Sequence, residues 1–507
     1  MPPPNLPPEL WMKIFTQSVT SSFQDTLRSS FAVWEFSPGS FQWSSSPWEI
    51  SRVCRNWRNI ISAMPELWSS IEISSFAPGP NIVPFLDLYL KRSRGRGLDV
   101  VIMTDDSNNR SDHKDQHFLE AASFLMQHKA RFQKLVMVIR FDDFPWGDYS
   151  LEHPVFPILE SVCLGGDGEL FPAPRQFWEG IRTAPKLHNV TLSYSLVLST
   201  DNFLHILANS QVELLEIHNI FSLEDGFHSF RRLFPTLNKI ETLKICDCTD
   251  AAMEAPFSPR LRNQALRALS IEQNDRPHEY LSSLELPSLE TLLLSCIHLD
   301  SIFKAPPLHW VSDLFRILQR FPSLQRLSFH FNIEDEIRRQ SNPARLVELL
   351  QFLPNLTALD ARITGGGGSC STNLLLALVS RSGLGRRLKS LRLNEADCHL
   401  DSDLILRHIM ALETRVAKSK DPRDGNAIAQ LSDVRLLFGF RPQRRSAEMT
   451  EFESLDRKMQ LLELVGTKCA LFRCFEKDFE SSSFFVMGSK SLEDPAVHAF
   501  DRLHVSI

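Results

Sequence analysis

The residues able to do chemistry are numerous here but poorly organised for it. Sixteen histidines are dispersed along the chain, with no HExxH run and no paired ligand spacing. The nine cysteines (Cys54, Cys163, Cys246, Cys248, Cys296, Cys370, Cys398, Cys469 and Cys474) include no CxxC pair. Their spacing fits neither a zinc site nor a disulfide framework, so buried free thiols are expected. Gly365-Gly366-Gly367-Gly368-Ser369 lacks the Lys-Ser/Thr ending of a phosphate loop and reads as a flexible connection. Gly165-Gly166-Asp167-Gly168 reads as a turn, and Asp105-Asp106 and Asp142-Asp143 as solvated loops. The cations Lys91, Arg92, Arg94 and Arg96, and likewise Arg386, Arg387 and Lys389, suit solvated helix ends, where positive charge is favoured. The expectation is a protein without catalytic, cofactor-binding or metal-ligating residues, and so not an enzyme.

Composition narrows the class further. A chain of 507 residues exceeds what one hydrophobic core supports, so several domains or a repeat array are expected. A net charge of −6 and a pI near 6.3 supply no general attraction to nucleic acid or an anionic membrane. No run of eighteen apolar residues occurs, and Met1-Pro2-Pro3-Pro4-Asn5 lacks the features of a signal peptide, which leads us to expect a cytoplasmic or nuclear protein.

Positioning any functional surface falls to a repeat. An apolar–x–x–apolar–x–apolar pattern recurs as Leu159-Val162-Leu164, Leu187-Val190-Leu192, Val212-Leu215-Ile217 and Ile240-Leu243-Ile245. It continues as Leu266-Leu269-Ile271, Leu289-Leu292-Leu294, Leu324-Leu327-Phe329, Leu356-Leu359-Ala361 and Leu388-Leu391-Leu393. Trp68-Ile71-Ile73, Leu98-Val101-Met103 and Phe132-Leu135-Met137 fit more loosely upstream. The spacing averages roughly 29 residues, within the leucine-rich range. Pro157, Pro185, Pro287, Pro322 and Pro354 stand two residues before the first apolar position, where they end a preceding helix. Helical stretches such as Phe118-Leu119-Ala122-Leu125 lie between strands. A unit of helix, proline break, strand and loop buries its apolar faces only against its neighbours, which predicts a curved parallel sheet with outer helices. After Leu393 the rhythm fades. Helices are expected over Asp401–Lys420 and Glu453–Cys474, with a strand around Leu431-Val434-Leu436 between them.

The first seventy residues differ. Leu6, Leu10 and Ile14 are spaced four apart behind a proline-rich helix entry, and Ile50, Val53, Cys54, Trp57, Ile60 and Ile61 mark one face of a second helix. A Ser-rich, aromatic-studded connector from Ser18 to Pro47 joins them.

The segments LPPEL…KIF, VCRNWRNII and PELWSSIEI, in that order over residues 5–73, resemble the F-box, particularly the form joined to leucine-rich repeats in fungal proteins. The segment Val83–Met103 also resembles the stretch after the F-box in such proteins. The resemblance implies docking to a Skp-type adaptor of an SCF cullin–RING ubiquitin ligase, with an unknown protein substrate held by the repeats. Carried over by position, the docking and core residues would be Leu6, Pro7, Leu10, Ile14, Val53, Cys54, Trp57 and Ile60. The expected organisation is an α/β chain with an F-box-like helical module over 1–67, a leucine-rich-repeat-like solenoid over 68–400 and a helical cap region over 401–507. The alternative is a leucine-rich-repeat scaffold or ligand-binding protein acting outside the ubiquitin system.

Overall fold

The computed structural model describes residues 6–18, 47–74, 82–104, 112–139, 156–165, 175–193, 211–218, 234, 237–246, 260–272, 281–296, 316–332, 350–364, 378, 385–395, 410–411, 414, 433–440 and 468–475. The chain forms two compact units, one of Met1–Thr236 with Ser489–Ile507 and one of Leu237–Gly488.

The first unit opens with helices α1 (8–18), α2 (Pro47–Val53) and α3 (Arg55–Ser62), followed by a 3-10 turn at Pro65–Trp68. Six strands follow: β1 (Ser70–Ser74), β2 (Leu98–Met103), β3 (Phe132–Val138), β4 (Ser161–Gly165), β5 (Asn189–Ser193) and β6 (Leu214–His218). Each pairs in parallel with the next in chain order. Helices α4 (Ile82–Arg92), α5 (Asp112–Met126) and α6 (Arg175–Arg182) connect β1 to β2, β2 to β3 and β4 to β5. Parallel neighbours need such crossovers, because a tight hairpin cannot return the chain to the same end. The expected stripe of α5 is present, with Phe118, Ala122 and Leu125 buried.

The second unit repeats the pattern with β7 (Thr242–Cys246), β9 (Ala268–Glu272), β11 (Thr291–Cys296), β12 (Arg326–Asn332), β13 (Ala358–Thr364), β14 (Ser390–Glu395), β15 (Asp433–Phe440) and β16 (Lys468–Phe475). These are likewise parallel and sequential. Two short strands, β8 (Leu261–Arg262) and β10 (Leu284–Glu285), form a separate parallel pair. The strand expected near Val434 is β15. The helix expected over Glu453–Cys474 is corrected: residues 468–475 are strand, held by an eight-residue ladder to β15. Pairing with a strand already in place outweighs local helical preference. Of the helix expected over Asp401–Lys420, residues 410, 411 and 414 are helical and the rest lies outside the described residues, as do the Gly365–Ser369 connection and nearly all of the Ser18–Pro47 connector.

The nine regular apolar triplets are the core, every one of their 27 side chains being at most 5% exposed. Full burial of one such side chain stabilises by about 2 kcal/mol, so each unit rests on a row of similar contributions. The prolines have a sharper role than expected. The backbone N–H of Leu159, Leu187, Leu289, Leu324 and Leu356 donates to the carbonyl three residues back at 3.1–3.4 Å. Pro157, Pro185, Pro287, Pro322 and Pro354 therefore occupy the second position of a β-turn, which their fixed φ suits. In the second unit the residue after the first apolar position links unit to unit: Arg267 N donates to Glu241 O, Glu290 N to Arg267 O, Gln325 N to Glu290 O, Thr357 N to Gln325 O and Lys389 N to Thr357 O.

Strand β2 corrects one triplet. A register shift between Leu98 and Asp99 sets Val100 opposite Leu135 and Ile102 opposite Met137. The core residues are therefore Leu98, Val100 and Ile102, not Leu98, Val101 and Met103. Val101 and Met103 instead join Val136 and Cys163 in an apolar cluster on the other face. Sequence could not decide this, because Val100–Met103 is apolar on both faces and a one-residue slip exchanges them.

Asn263 closes the turn before β9. Its Nδ2 donates to Leu237 O at 2.7 Å, and its Oδ1 accepts from Ala265 N at 2.9 Å and Leu266 N at 3.0 Å, all with the residue 5% exposed. Asn263→Ala leaves three backbone groups without this partner, and we expect a loss of about 2 kcal/mol, read as a lowered urea midpoint at unchanged slope.

Candidate docking surface

The N-terminal module is built around aromatic rings. Trp11 and Phe15 lie one turn apart on α1 and are buried, with ring centroids 5.5 Å apart. Trp57 of α3 packs against both, at 4.8 and 5.1 Å. Such offset and edge-on contacts are the favoured arrangements of aromatic quadrupoles.

The single helix expected over residues 50–61 is corrected to two. Cys54 is extended (φ −157°, ψ 168°) and caps α3, its Sγ accepting from Trp57 N at 3.4 Å. Arg58 Nε donates back to Ser51 O at 3.1 Å, satisfying a carbonyl at the end of α2. The break separates what the sequence joins in one stripe: Ile61 is fully buried, Trp57 and Ile60 are half-buried, and Val53 is 60% exposed.

The eight residues singled out from the sequence thus divide. Leu10 and Ile14 are each 45% exposed, and with Val53 they are the outward aliphatics of the module. Pro7 is exposed at the start of α1, where its carbonyl accepts from Leu10 N and Trp11 N, and Leu6 is half-buried. Cys54, Trp57 and Ile60 are half-buried, and of these Trp57 holds the aromatic cluster together. Sequence reasoning missed Trp11 and Phe15. They share the four-residue spacing of Leu10 and Ile14 but lie about 100° further round the helix, and the aromatic pair wins the inside because it covers more area.

The module is fastened to the first strand at Trp68, which is fully buried. Its Nε1 donates to Ile61 O at 2.9 Å, Tyr89 meets it edge-on at 4.9 Å, and the Arg92 guanidinium lies 4.3 Å over its ring. Trp48 of α2 continues the contact through Phe85 at 5.2 Å. Of the basic run expected to be solvated, Lys91, Arg94 and Arg96 are exposed, Arg96 lying 3.7 Å from Glu66, and only Arg92 is drawn inward. Arg131, which no sequence pattern marks, gathers the end of α4: it donates to Ser93 Oγ at 2.6 Å, Leu90 O at 3.4 Å and Arg96 O at 3.0 and 3.1 Å.

The sheet face opposite the core carries further titratable groups of the first unit. The register aligns Glu72, Val101, Val136, Cys163, Thr191 and Glu216 in one row. Burial among apolar neighbours raises the Glu72 carboxyl to about 7. Burial, and secondarily the charge of Glu216, pushes the Cys163 thiol well up, so it stays protonated and is a poor nucleophile. In the second unit Lys244 Nζ lies 3.5 Å from Glu272 Oε1, which also accepts from Ser270 Oγ at 2.8 Å. Burial of such a pair is tolerated because each charge has a partner. Among the described residues no helix is long and apolar enough to cross a membrane.

No family model matches the chain, and no curated protein matches it. Solved structures resemble it at low identity. The leucine-rich repeat-containing protein LegL7 from Legionella pneumophila is 14% identical, with a TM-score of 0.34 over 64% of this chain and 97% of that one. A leucine-rich-repeat protein of Leptospira interrogans is 12% identical, with a TM-score of 0.28 over 82% and 92%. The TLR13–ssRNA13 complex is 12% identical, with a TM-score of 0.29 over 68% of this chain and 43% of that one. The class of the fold, a parallel β/α repeat of the leucine-rich type, rests on the chain's own period and register.

Proposed function

We propose that this protein is a substrate-receptor adaptor: its N-terminal helices dock a Skp-type adaptor of an SCF cullin–RING ubiquitin ligase, and its repeats hold a protein substrate. The observation that supports this best is the outward placement of Leu10, Ile14 and Val53 on helices whose inner faces are already filled by Trp11, Phe15 and Ile61. These aliphatics are not needed to close the module, and covering them with a partner removes apolar area from water. The order of elements, a small helical module ahead of a long repeat sheet, separates a docking end from a recognition surface. The working compartment in this reading is the cytoplasm or nucleus, and the protein is an adaptor without chemistry of its own.

The test is co-purification of the full chain with a recombinant Skp-type adaptor. The double variant Leu10→Asp with Val53→Asp is expected to weaken capture by about 100-fold or more while leaving the unfolding midpoint unchanged, because both side chains are already exposed. Trp57 is unsuitable for this purpose, since replacing it would collapse the aromatic cluster. Failure of the wild-type chain to retain any such adaptor would overturn the proposal.

A further inference from the structure

Resting on that reading, we infer that the partner's docking face is acidic, and that a basic rim on the helical module governs how fast the two associate. On α1 the exposed stripe is not purely aliphatic: Lys13 lies between Leu10 and Ile14, three residues from one and adjacent to the other. On α2 and at the start of α3, Arg52 and Arg55 flank Val53 and the Cys54 cap, and both are exposed. Arg58 adds a fourth cation one turn further on, anchored by its bond to Ser51 O.

Carboxylates offset this rim only in part. Among the described residues Lys13, Arg52 and Arg55 form no ion pair, whereas Glu66 of the same module is turned to Arg96 of the first repeat. Glu9 on α1 and Glu49 on α2 are the exposed acids of these helices, so their four cations exceed the carboxylates by two. The concentration stands out because the whole chain carries a net charge of −6. Two exposed cations elsewhere in the first unit, Lys91 and Lys134, are paired with Asp87 and Asp99. Unmatched cations bordering outward aliphatics are what an acidic partner requires: opposite charge steers the encounter, and apolar contact then sets the lifetime.

Two kinds of substitution separate these roles. Binding of the full chain to an immobilised recombinant Skp-type adaptor is followed kinetically at low and high ionic strength. Raising salt from about 50 to about 500 mM is expected to slow association about tenfold, with dissociation changed by no more than about threefold. The triple variant Lys13→Glu, Arg52→Glu, Arg55→Glu should slow association about tenfold at low salt and lose most of the salt dependence, whereas Leu10→Ala should act on dissociation. Because the three cations are exposed, thermal unfolding of the triple variant should match the wild type, which checks its folding. Association that is indifferent to both salt and charge reversal overturns the basic rim while leaving the adaptor reading in place. No association at any ionic strength overturns both.

Discussion

Trp68→Ala is expected to cost the first unit about 4 kcal/mol of stability. The indole is fully buried, so its removal leaves a large cavity between the helical module and the first repeat strand. Cavity formation accounts for most of the loss, because well-packed surroundings relax only partly. The bond from Nε1 to Ile61 O adds about 1 kcal/mol, and the loss of the Arg92 guanidinium's π-partner adds a further fraction. With domains commonly stable by about 5–15 kcal/mol, such a loss places the first unit near its threshold. Trp68→Phe keeps much of the volume and gives up the donor, so a loss of about 1–2 kcal/mol should separate the two contributions. Urea unfolding of the full chain measures both, and protease cleavage between α3 and β1 should become rapid in Trp68→Ala alone. A Trp68→Ala chain within about 1 kcal/mol of wild type would show that the tryptophan is not the fastening point.

The repeat was legible because its period and its burial coincide. Where strand residues alternate strictly, as in Leu324-Leu327-Phe329 or Leu388-Leu391-Leu393, the apolar positions are buried. Legibility failed where alternation is absent. Val100–Met103 is apolar at every position, and only the neighbouring strand's register decides that Val100 and Ile102 face the core. It failed again at Lys468–Phe475, where helix-forming residues precede a segment that pairs over its full length with β15. Proline positions were visible, but their role as turn residues depends on a backbone bond three residues long that sequence does not display. The candidate site was legible as a set of apolar residues and not as a division between inside and outside. Leu10 and Ile14 were indistinguishable by spacing from Trp11 and Phe15, and the extended backbone at Cys54 that turns Val53 outward has no marker in VCRNWRNII. Arg131 acts across 35 to 41 residues on the end of α4 and the turn after it, a distance over which local patterns carry no information.

Glu72 should make the first unit less stable as pH rises toward neutrality, opposite to the usual behaviour of a paired carboxylate. Its folded carboxyl titrates at about 7 against an ordinary 4.5, because burial beside the row headed by Val101 disfavours the charge. Below about pH 4.5 the group is protonated in both folded and unfolded chains and contributes no pH dependence. Between about 4.5 and 7 the unfolded chain has lost the proton while the folded chain still holds it, so stability falls with pH. Above about 7 the loss is complete, and the difference of 2.5 between the two values corresponds to at most about 3.4 kcal/mol. Partial solvent contact of the side chain reduces this to about 2 kcal/mol. Asp99, in the row below and 3.2 Å from Lys134 Nζ, is also raised by burial, and its titration is common to wild type and variant. Glu72→Gln keeps the shape and removes the charge, so the difference between the two chains isolates this one group. The variant should match wild type at pH 4 and exceed it by about 2 kcal/mol at pH 8 in urea unfolding. A difference that stays constant between those two pH values would mean that the Glu72 carboxyl keeps its ordinary titration in the folded sheet.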